Sequence, residues 1–343
     1  MRFRLRHWKL CVSVTLILNS FSLAPAGADD IVHMSYGGHN ETIGPYWVAV
    51  DRGLYQKHGV DARLLQVRSA QISLAALVSG EVPIFLPSIA NVLTGVSAGA
   101  KLGCIAFPIK GVSRELVVRK EIDSLAALRG KSIGVQSIGG GFWLQTMMLL
   151  DAAGVDPDKL GMKMRVIGEE ATIVQALLSS NIDAAVVTLP SAAVAKRGGM
   201  RSLVNSAEMR IPFQTVGLCS RSERIANAPD LMTRLTKGMI DGIAYILDAP
   251  NKRDVAAILK KHLRLSTDED AETSYHSLRS ITGLDIAPDP AAWKNIQRIS
   301  ARVNPKIAQV DVNDAINTSI VKALEDTGYL PEARKRAALQ AGR

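Results

Sequence analysis

Cysteine and aromatic residues are scarce in this 343-residue chain, and their scarcity narrows the chemistry it can carry out. Only three cysteines occur and no two form a Cys-x-x-Cys pair, which excludes zinc-ribbon and dithiol redox motifs. The six histidines show neither His-x-x-x-His nor His-Glu-x-x-His spacing, and no Walker phosphate loop is present. We therefore expect neither a metal nor a cofactor, although residues distant in sequence could still assemble a catalytic site.

Acidic residues are absent from the first 28 positions, and this segment has the pattern of a secretory signal peptide. Four basic residues between positions 2 and 9 precede a nine-residue apolar run, Leu10 to Leu18, and Ala26-Gly27-Ala28 ends the segment. A membrane span needs about 20 apolar residues, so this run is too short for an anchor. The pattern predicts export to the periplasm, with cleavage after Ala28.

Long apolar runs are also lacking after Asn40, which predicts a soluble mature protein. The formal net charge is +9, and four of the basic residues lie in the segment to be removed, which leaves +5. Much of this excess is in the C-terminal tail, at Arg334, Lys335, Arg336 and Arg343, without interleaved aromatic residues. The charge therefore does not indicate a nucleic-acid partner, and we expect a monomer.

Short apolar runs alternate with helix-period segments from residue 31 to about residue 220, which predicts an α/β protein with mainly parallel sheets. Glycine and proline mark the ends of many of these elements. After a last strand at 214–218, residues 229–343 have an almost wholly helical pattern, including one helix over 312–327. The predicted strands are 31–36, 62–67, 82–86, 102–108, 132–136, 163–167 and 184–187.

Four segments resemble those of the solute-binding components of ABC importers, in the NMT1/THI5-like branch that takes sulfonates, nitrate, taurine and thiamine-precursor pyrimidines. They are Trp47 to Val60, Leu74 to Val82, Ile122 to Val135 and Gln175 to Ala185. Most of the matching residues turn the chain or end helices, so the resemblance concerns the scaffold more than the ligand.

The resemblance implies a two-lobe type II periplasmic binding fold, each lobe a mainly parallel sheet flanked by helices. The chain would cross between lobes at 111–114 and 213–216. Lobe one would then comprise residues 29–112 and 217–343, with the helical C-terminal segment packed on it, and lobe two residues 113–216.

The resemblance also places Cys104 and Cys219 on adjacent antiparallel strands, since the returning strand 214–218 and its continuation lie beside strand 102–108. An oxidising compartment permits a disulfide there. Two neighbouring buried cysteines that never bond are the alternative.

Ligands of open parallel sheets bind beyond the carboxyl ends of the strands, and these ends supply the predicted site. The most informative of them is the glycine loop 137–141, which comes directly before a helix. Its backbone N–H groups and the helix dipole would favour an anionic group. Phe142 and Trp143 follow, and only one of the two can face the cleft. The predicted ligand-binding residues are His39, Thr42, Arg68, Ser69, Ser88, Gln136, Ser137, Gly139, Gly140, Phe142, Glu169 and Thr188.

Arg68 and Glu169 point to different ligand chemistries. Arg68 could pair with a carboxylate or sulfonate, whereas Glu169 facing the cleft would require a donor or a positive group on the ligand. A small organic anion is the favoured ligand, and an aromatic or pyrimidine compound is the alternative, from Phe142, Trp143 and Glu169.

The sequence thus indicates a periplasmic receptor that delivers a small solute to an ABC permease and has no catalytic role. The alternatives are an enzyme of the thiamine-pyrimidine-synthase type on the same fold and a binding protein that feeds a sensor. The enzyme would need clustered His and Cys residues beside a cofactor-bearing lysine, and the sequence shows no such cluster.

Overall fold

The computed structural model describes residues 30–67, 69–209 and 211–341. The predicted signal peptide, with its cleavage after Ala28, lies outside the described residues, and so does Arg68. Along the described chain, strands and helices alternate up to residue 221, and helices follow. No helix in these ranges is both long and apolar enough to span a bilayer.

A five-stranded sheet in the order β2-β1-β3-β12-β4 forms the centre of the first lobe. Strand β1 pairs with β2 and β3 in parallel, whereas β12 is antiparallel to both β3 and β4. Four strands therefore run in one direction and β12 in the other, as the predicted mainly parallel sheet requires. The strands are β1 Asp30–Tyr36, β2 Val60–Gln66, β3 Ile84–Phe85, β4 Leu102–Ala106 and β12 Leu218–Arg221.

A second five-stranded sheet in the order β10-β6-β9-β7-β8 forms the centre of the second lobe. Strands β8, β7 and β9 are parallel, and β6 is antiparallel to its neighbours β9 and β10. Again four strands share a direction and one is reversed. The strands are β6 Arg114–Val118, β7 Ser132–Val135, β8 Lys163–Val166, β9 Ala184–Thr188 and β10 Arg201–Asn205.

Two short strands, β5 Ile109–Lys110 and β11 Gln214–Thr215, pair antiparallel between the two sheets. In both sheets the reversed strand, β6 or β12, is the one that directly follows this ribbon in the chain. The predicted crossings at 111–114 and 213–216 fall in or beside the ribbon, and the lobe boundaries themselves stay a prediction.

Helices cover both faces of each sheet, which is why strands β4, β6 and β9 are fully buried, whereas the edge strand β8 is largely exposed. The C-terminal helices pack mainly on the first lobe. The helices are α1 Gly44–Asp51, α2 Ala70–Ser79, α3 Ile89–Ser97, α4 Gly141–Ala152, α5 Glu170–Leu178, α6 Leu189–Arg197, α7 Ser222–Asn227, α8 Pro229–Leu247, α9 Lys252–Leu263, α10 Asp268–Ile281, α11 Pro290–Ser300, α12 Ser319–Asp326 and α13 Tyr329–Ala341.

Cys104 of β4 and Cys219 of β12 are bonded in a disulfide, with their Cα atoms 4.1 Å apart. The two residues are paired in register across the antiparallel strands and are fully buried. The predicted proximity is therefore confirmed, and of the two alternatives the structure has the bonded one.

Two predicted elements differ from the structure. The single helix expected over 312–327 is wrong, because Val312–Ala315 form only a 3-10 turn and Asn317 then accepts at its side chain the N–H of Ser319 before α12 begins. The strand expected over 214–218 is interrupted at Val216, whose φ of 57° is left-handed and incompatible with an extended strand.

Candidate functional site

A cleft of about 330 Å³ lies between the two lobes, at the carboxyl ends of their strands. The first lobe contributes the loop after β1, the start of α2 and the start of α3, and the second lobe contributes the loops before α4 and α5. Nine of the predicted ligand-binding residues line it, namely His39, Thr42, Ser69, Ser88, Gln136, Ser137, Gly140, Phe142 and Glu169. Their contact with a ligand stays a prediction.

Two predicted residues do not line the cleft. Gly139 has a φ of +77° and lies against Val303, so it shapes the loop without facing the space. The hydroxyl of Thr188 donates to Glu170 Oε1 at 2.7 Å, and its oxygen also caps α6 by accepting the N–H of Ser191. Thr188 therefore acts on the cleft only through Glu170.

The N-terminus of α4 faces this space without a side-chain cap. Gly140 is the N-cap residue of α4 and offers no side-chain acceptor, so the first N–H groups of the helix stay available to a ligand. The helix dipole adds a partial positive charge at the same point. The starts of α2 and α3 differ, because Ser69 and Ser88 accept N–H groups of their own helices.

Arg114 is a charged cleft residue that the sequence analysis did not predict. It is the first residue of β6 and is only 2% exposed, yet it lines the cleft. Its Nε donates to Gln145 at 2.8 Å and its Nη1 to Glu170 at 3.3 Å, while its guanidinium lies 5.1 Å from the centre of the Phe142 ring. Among the described residues its Nη2 has no hydrogen-bond acceptor, so this nitrogen is available to a ligand.

Glu170 and Glu169 have different roles although they are adjacent. Glu170 is engaged on both oxygens, by Arg114 and by the N–H and hydroxyl of Thr188. Glu169 is exposed, and its hydrogen bond within the described chain comes from the amide of Gln136 at 3.2 Å. Glu169 is thus the carboxylate that can accept a hydrogen bond from a ligand.

The aromatic residues of the site offer little stacking surface. Trp143 is in the core beside α11, as the geometry of adjacent helical residues allows for one of the pair. Phe142 is 8% exposed and lies beneath Arg114. His39 packs on Trp47 and its Nε2 is 3.0 Å from the carbonyl oxygen of His262, which makes Nε2 the donor.

Glu41 is a buried carboxyl group behind the cleft. It is 2% exposed and its Oε1 accepts a hydrogen bond from Ser277 at 3.0 Å; Ser277 in turn contacts Ser113 at 2.7 Å. Burial raises the pKa of Glu41 to about 6, with the charge of Arg114 opposing the shift.

Glu41→Gln is expected to stabilise the protein above pH 6 by up to about 2 kcal/mol. The unfolded carboxyl loses its proton near pH 4.5 and the folded one near pH 6. The free energy of unfolding of the wild-type protein therefore falls as the pH rises from 4.5 to 6, because the buried carboxyl must ionise. The variant has no carboxyl here and does not show this fall. Urea unfolding at pH 4 and pH 7.5 measures the difference. A variant that is destabilised more at pH 7.5 than at pH 4 would contradict the assignment.

Gly140→Val is expected to abolish ligand binding and leave the fold intact. A Cβ at this position would lie 2.5 Å from the hydroxyl oxygen of Ser137, so the Ser137 side chain, itself at the cleft, must shift, and the branched valine adds bulk beside the first N–H groups of α4. Gly141→Ala is the matched control, because its Cβ would meet Ser88 at 3.4 Å, an ordinary contact. Calorimetric titration and circular dichroism of both variants make the comparison. Normal binding by Gly140→Val would show that the loop is not a ligand contact.

The fold, two lobes joined by a ribbon, is that of periplasmic binding proteins of known structure. A profile described as NMT1/THI5 like matches residues 40–253. The chain belongs to the NMT1/THI5-like family, as its sequence resemblance implied.

Relatives of known structure share this fold at low sequence identity. A Bordetella bronchiseptica RB50 protein has a TM-score of 0.73 at 17% identity, over 88% of this chain and 98% of the other. The periplasmic aliphatic sulphonate binding protein SsuA of Escherichia coli has a TM-score of 0.67 at 17% identity, over 84% and 92%. The periplasmic nitrate-binding protein NrtA of Synechocystis PCC 6803 has a TM-score of 0.68 at 12% identity, over 89% and 91%.

Sequence relatives include a Brucella abortus strain 2308 protein, which is 28% identical over 203 residues. The match covers 56% of this chain and 61% of the relative. The match therefore spans less than two thirds of the relative's own length.

Proposed function

We propose that this protein is a periplasmic receptor that captures a small organic solute in the interlobe cleft and delivers it to an ABC-type importer. The observation that carries the proposal is the convergence of Arg114 Nη2 and the uncapped N-terminus of α4 on one cleft. Both are positive, preorganised donors, and a site of this kind binds an anionic or strongly accepting group. Sulphonate- and nitrate-binding proteins share the fold, which supports the same use.

The proposed solute has two chemically different ends. An anionic end would accept hydrogen bonds from Arg114 and from the amides of α4, and Arg68 would add a charge contact if it reaches the cleft. A donor end would meet Glu169, whose carboxylate is exposed toward the same space. A pyrimidine would satisfy Glu169, but Phe142 is covered by Arg114 and offers it little stacking surface, so an organic anion with a donor group is the better fit.

The proposal assigns no catalytic role to the cleft. Glu170 accepts hydrogen bonds on both oxygens, from Arg114 at 3.3 Å and from Thr188, so this carboxylate is not free to act as a base. The sequence Gly95-Val96-Ser97-Ala98-Gly99 matches the Gly-x-Ser-x-Gly motif of hydrolases. In those enzymes the motif forms a nucleophile elbow between a strand and a helix. Here it lies at the end of α3, and the hydroxyl of Ser97 donates to the carbonyl of Thr94 at 2.9 Å.

The proposal also includes export with removal of residues 1–28 and a monomeric state. The lobe boundaries are proposed to lie at 112/113 and 216/217. A thermal-shift screen of the mature protein against a panel of small organic acids, amino acids and heterocycles tests it. A true ligand at 100 times its dissociation constant adds about 2.7 kcal/mol of stability. Turnover of a panel compound would favour the enzyme. A response to the solute that persists in a strain without the permease would favour a binding protein that feeds a sensor.

A further inference from the structure

The two lobes touch on both sides of the cleft, and the two contacts have opposite chemistry. Strand β6 shows that the sides are distinct, because Leu116 and Val118 face one hydrophobic cluster and Val117 the other. Leu149 and Leu150 of α4 lie on the side of Leu116, although Phe142 at the start of this helix lies on the other side, and α6 packs on the side of Val117. We call the α4–α11 contact the wall and the α6–α10 contact the gate.

The wall is a continuous apolar core. Trp143 and Met147 of α4 belong to the same buried cluster as Trp293, Ile296 and Ile299 of α11. All five side chains are at most 4% exposed. Separating α4 from α11 would expose this whole apolar surface to water, which is strongly unfavourable.

Ion pairs flank the wall on its outer surface. Arg298 of α11 pairs with both oxygens of Asp151 of α4, at 2.7 and 3.3 Å. Arg302 reaches Asp156 at 3.3 Å and also Asp158, in the loop after α4. These pairs fix the position of α11 on the second lobe without carrying most of its stability.

The gate is polar. Arg197 of α6 pairs with Asp270 of α10 at 3.0 Å, and the arginine side chain is 52% exposed. An exposed ion pair of this kind contributes little to stability, because both charges are well solvated when apart. Towards the ribbon the same side is closed by the hydroxyl contact between Ser113 and Ser277.

We infer that the solute enters by parting α6 from α10, while α4 stays docked on α11 throughout. The inference rests on the proposed binding function. It concerns the direction in which the lobes open, and this direction does not depend on the identity of the ligand. The ribbon of β5 and β11 then acts as a hinge for a one-sided swing, because domains joined by a large apolar interface move as one body at that interface.

Pairs of spin labels test the inference without any ligand. Val194→Cys with Glu269→Cys labels the gate, and Ala152→Cys with Lys294→Cys labels the wall; all four residues are exposed and outside the ion pairs described. Pulsed electron–electron distance measurements on the ligand-free protein should give a broad gate distribution with a longer population. The wall distribution should be single and narrow.

Charge reversal supplies the matched comparison. Arg197→Glu should increase the longer gate population severalfold and leave the wall unchanged, whereas Arg298→Glu should change neither distribution. Three results would overturn the inference. The wall distance distribution could broaden while the gate distribution stays narrow, both distributions could broaden together, or both could stay narrow in Arg197→Glu. None of these results depends on whether a solute is found, so the proposed function fails or stands separately.

Discussion

Replacing Cys104 and Cys219 together by alanine is expected to lower the free energy of unfolding by about 4–5 kcal/mol. The disulfide closes a loop over a sequence separation of 115, and a cross-link of that span removes a large entropy from the unfolded chain. The loop holds the ribbon and the whole second sheet, so the bond joins the two points from which the second lobe leaves the first.

Urea unfolding of the double-alanine variant against the oxidised wild-type protein measures this effect. The wild-type protein kept reduced in excess dithiol throughout unfolding and refolding is the control for the loss of the bond without a change of side-chain volume, since both cysteines are buried and would not accommodate an added group. A loss below about 1 kcal/mol would show that the bond is absent in solution or that native strain cancels its effect.

Arg114→Met is expected to weaken solute binding roughly ten- to hundredfold and to destabilise the fold by about 3–5 kcal/mol. The affinity loss corresponds to a charged hydrogen bond of about 1.5–3 kcal/mol. The stability loss arises because Glu170 keeps its charge in a half-buried site after its partner is removed.

The double variant Arg114→Met/Glu170→Gln separates these two effects. Glutamine can still accept the N–H of Thr188, and no unpaired charge is left, so most of the stability should return. The binding defect should persist, as measured by calorimetric titration with the solute found by screening. Recovery of binding together with stability would show that Arg114 only supports the fold.

The alternation of apolar strands and helical segments predicted the two sheets and most of the element boundaries. The prediction succeeded because the apolar period of a strand or helix can be read from a short stretch of sequence. The glycines that follow α2 and β1 mark their ends in the same local way. The helix over 312–327 was predicted wrongly because Asn317 competes for the backbone N–H of Ser319, an interaction that the apolar period does not register.

The site was predictable where it follows from strand ends and not where it depends on pairing. Ser88, Ser137 and Glu169 come after predicted strands, so their place at the cleft followed from topology. Arg114 and Glu170 are 56 residues apart and meet only in the folded protein, so no local pattern predicts their pairing. A basic residue that opens an apolar strand directly after a lobe crossing was the one available signal.

The crystal structure of the protein with its screened solute tests the central claim most directly. The account predicts the solute in the interlobe cleft, with an acceptor atom about 2.7–3.1 Å from Arg114 Nη2 and from a backbone nitrogen at the start of α4. A donor group of the solute should face Glu169. A solute bound outside the cleft, or held in it without contact to Arg114 or to α4, would contradict the account.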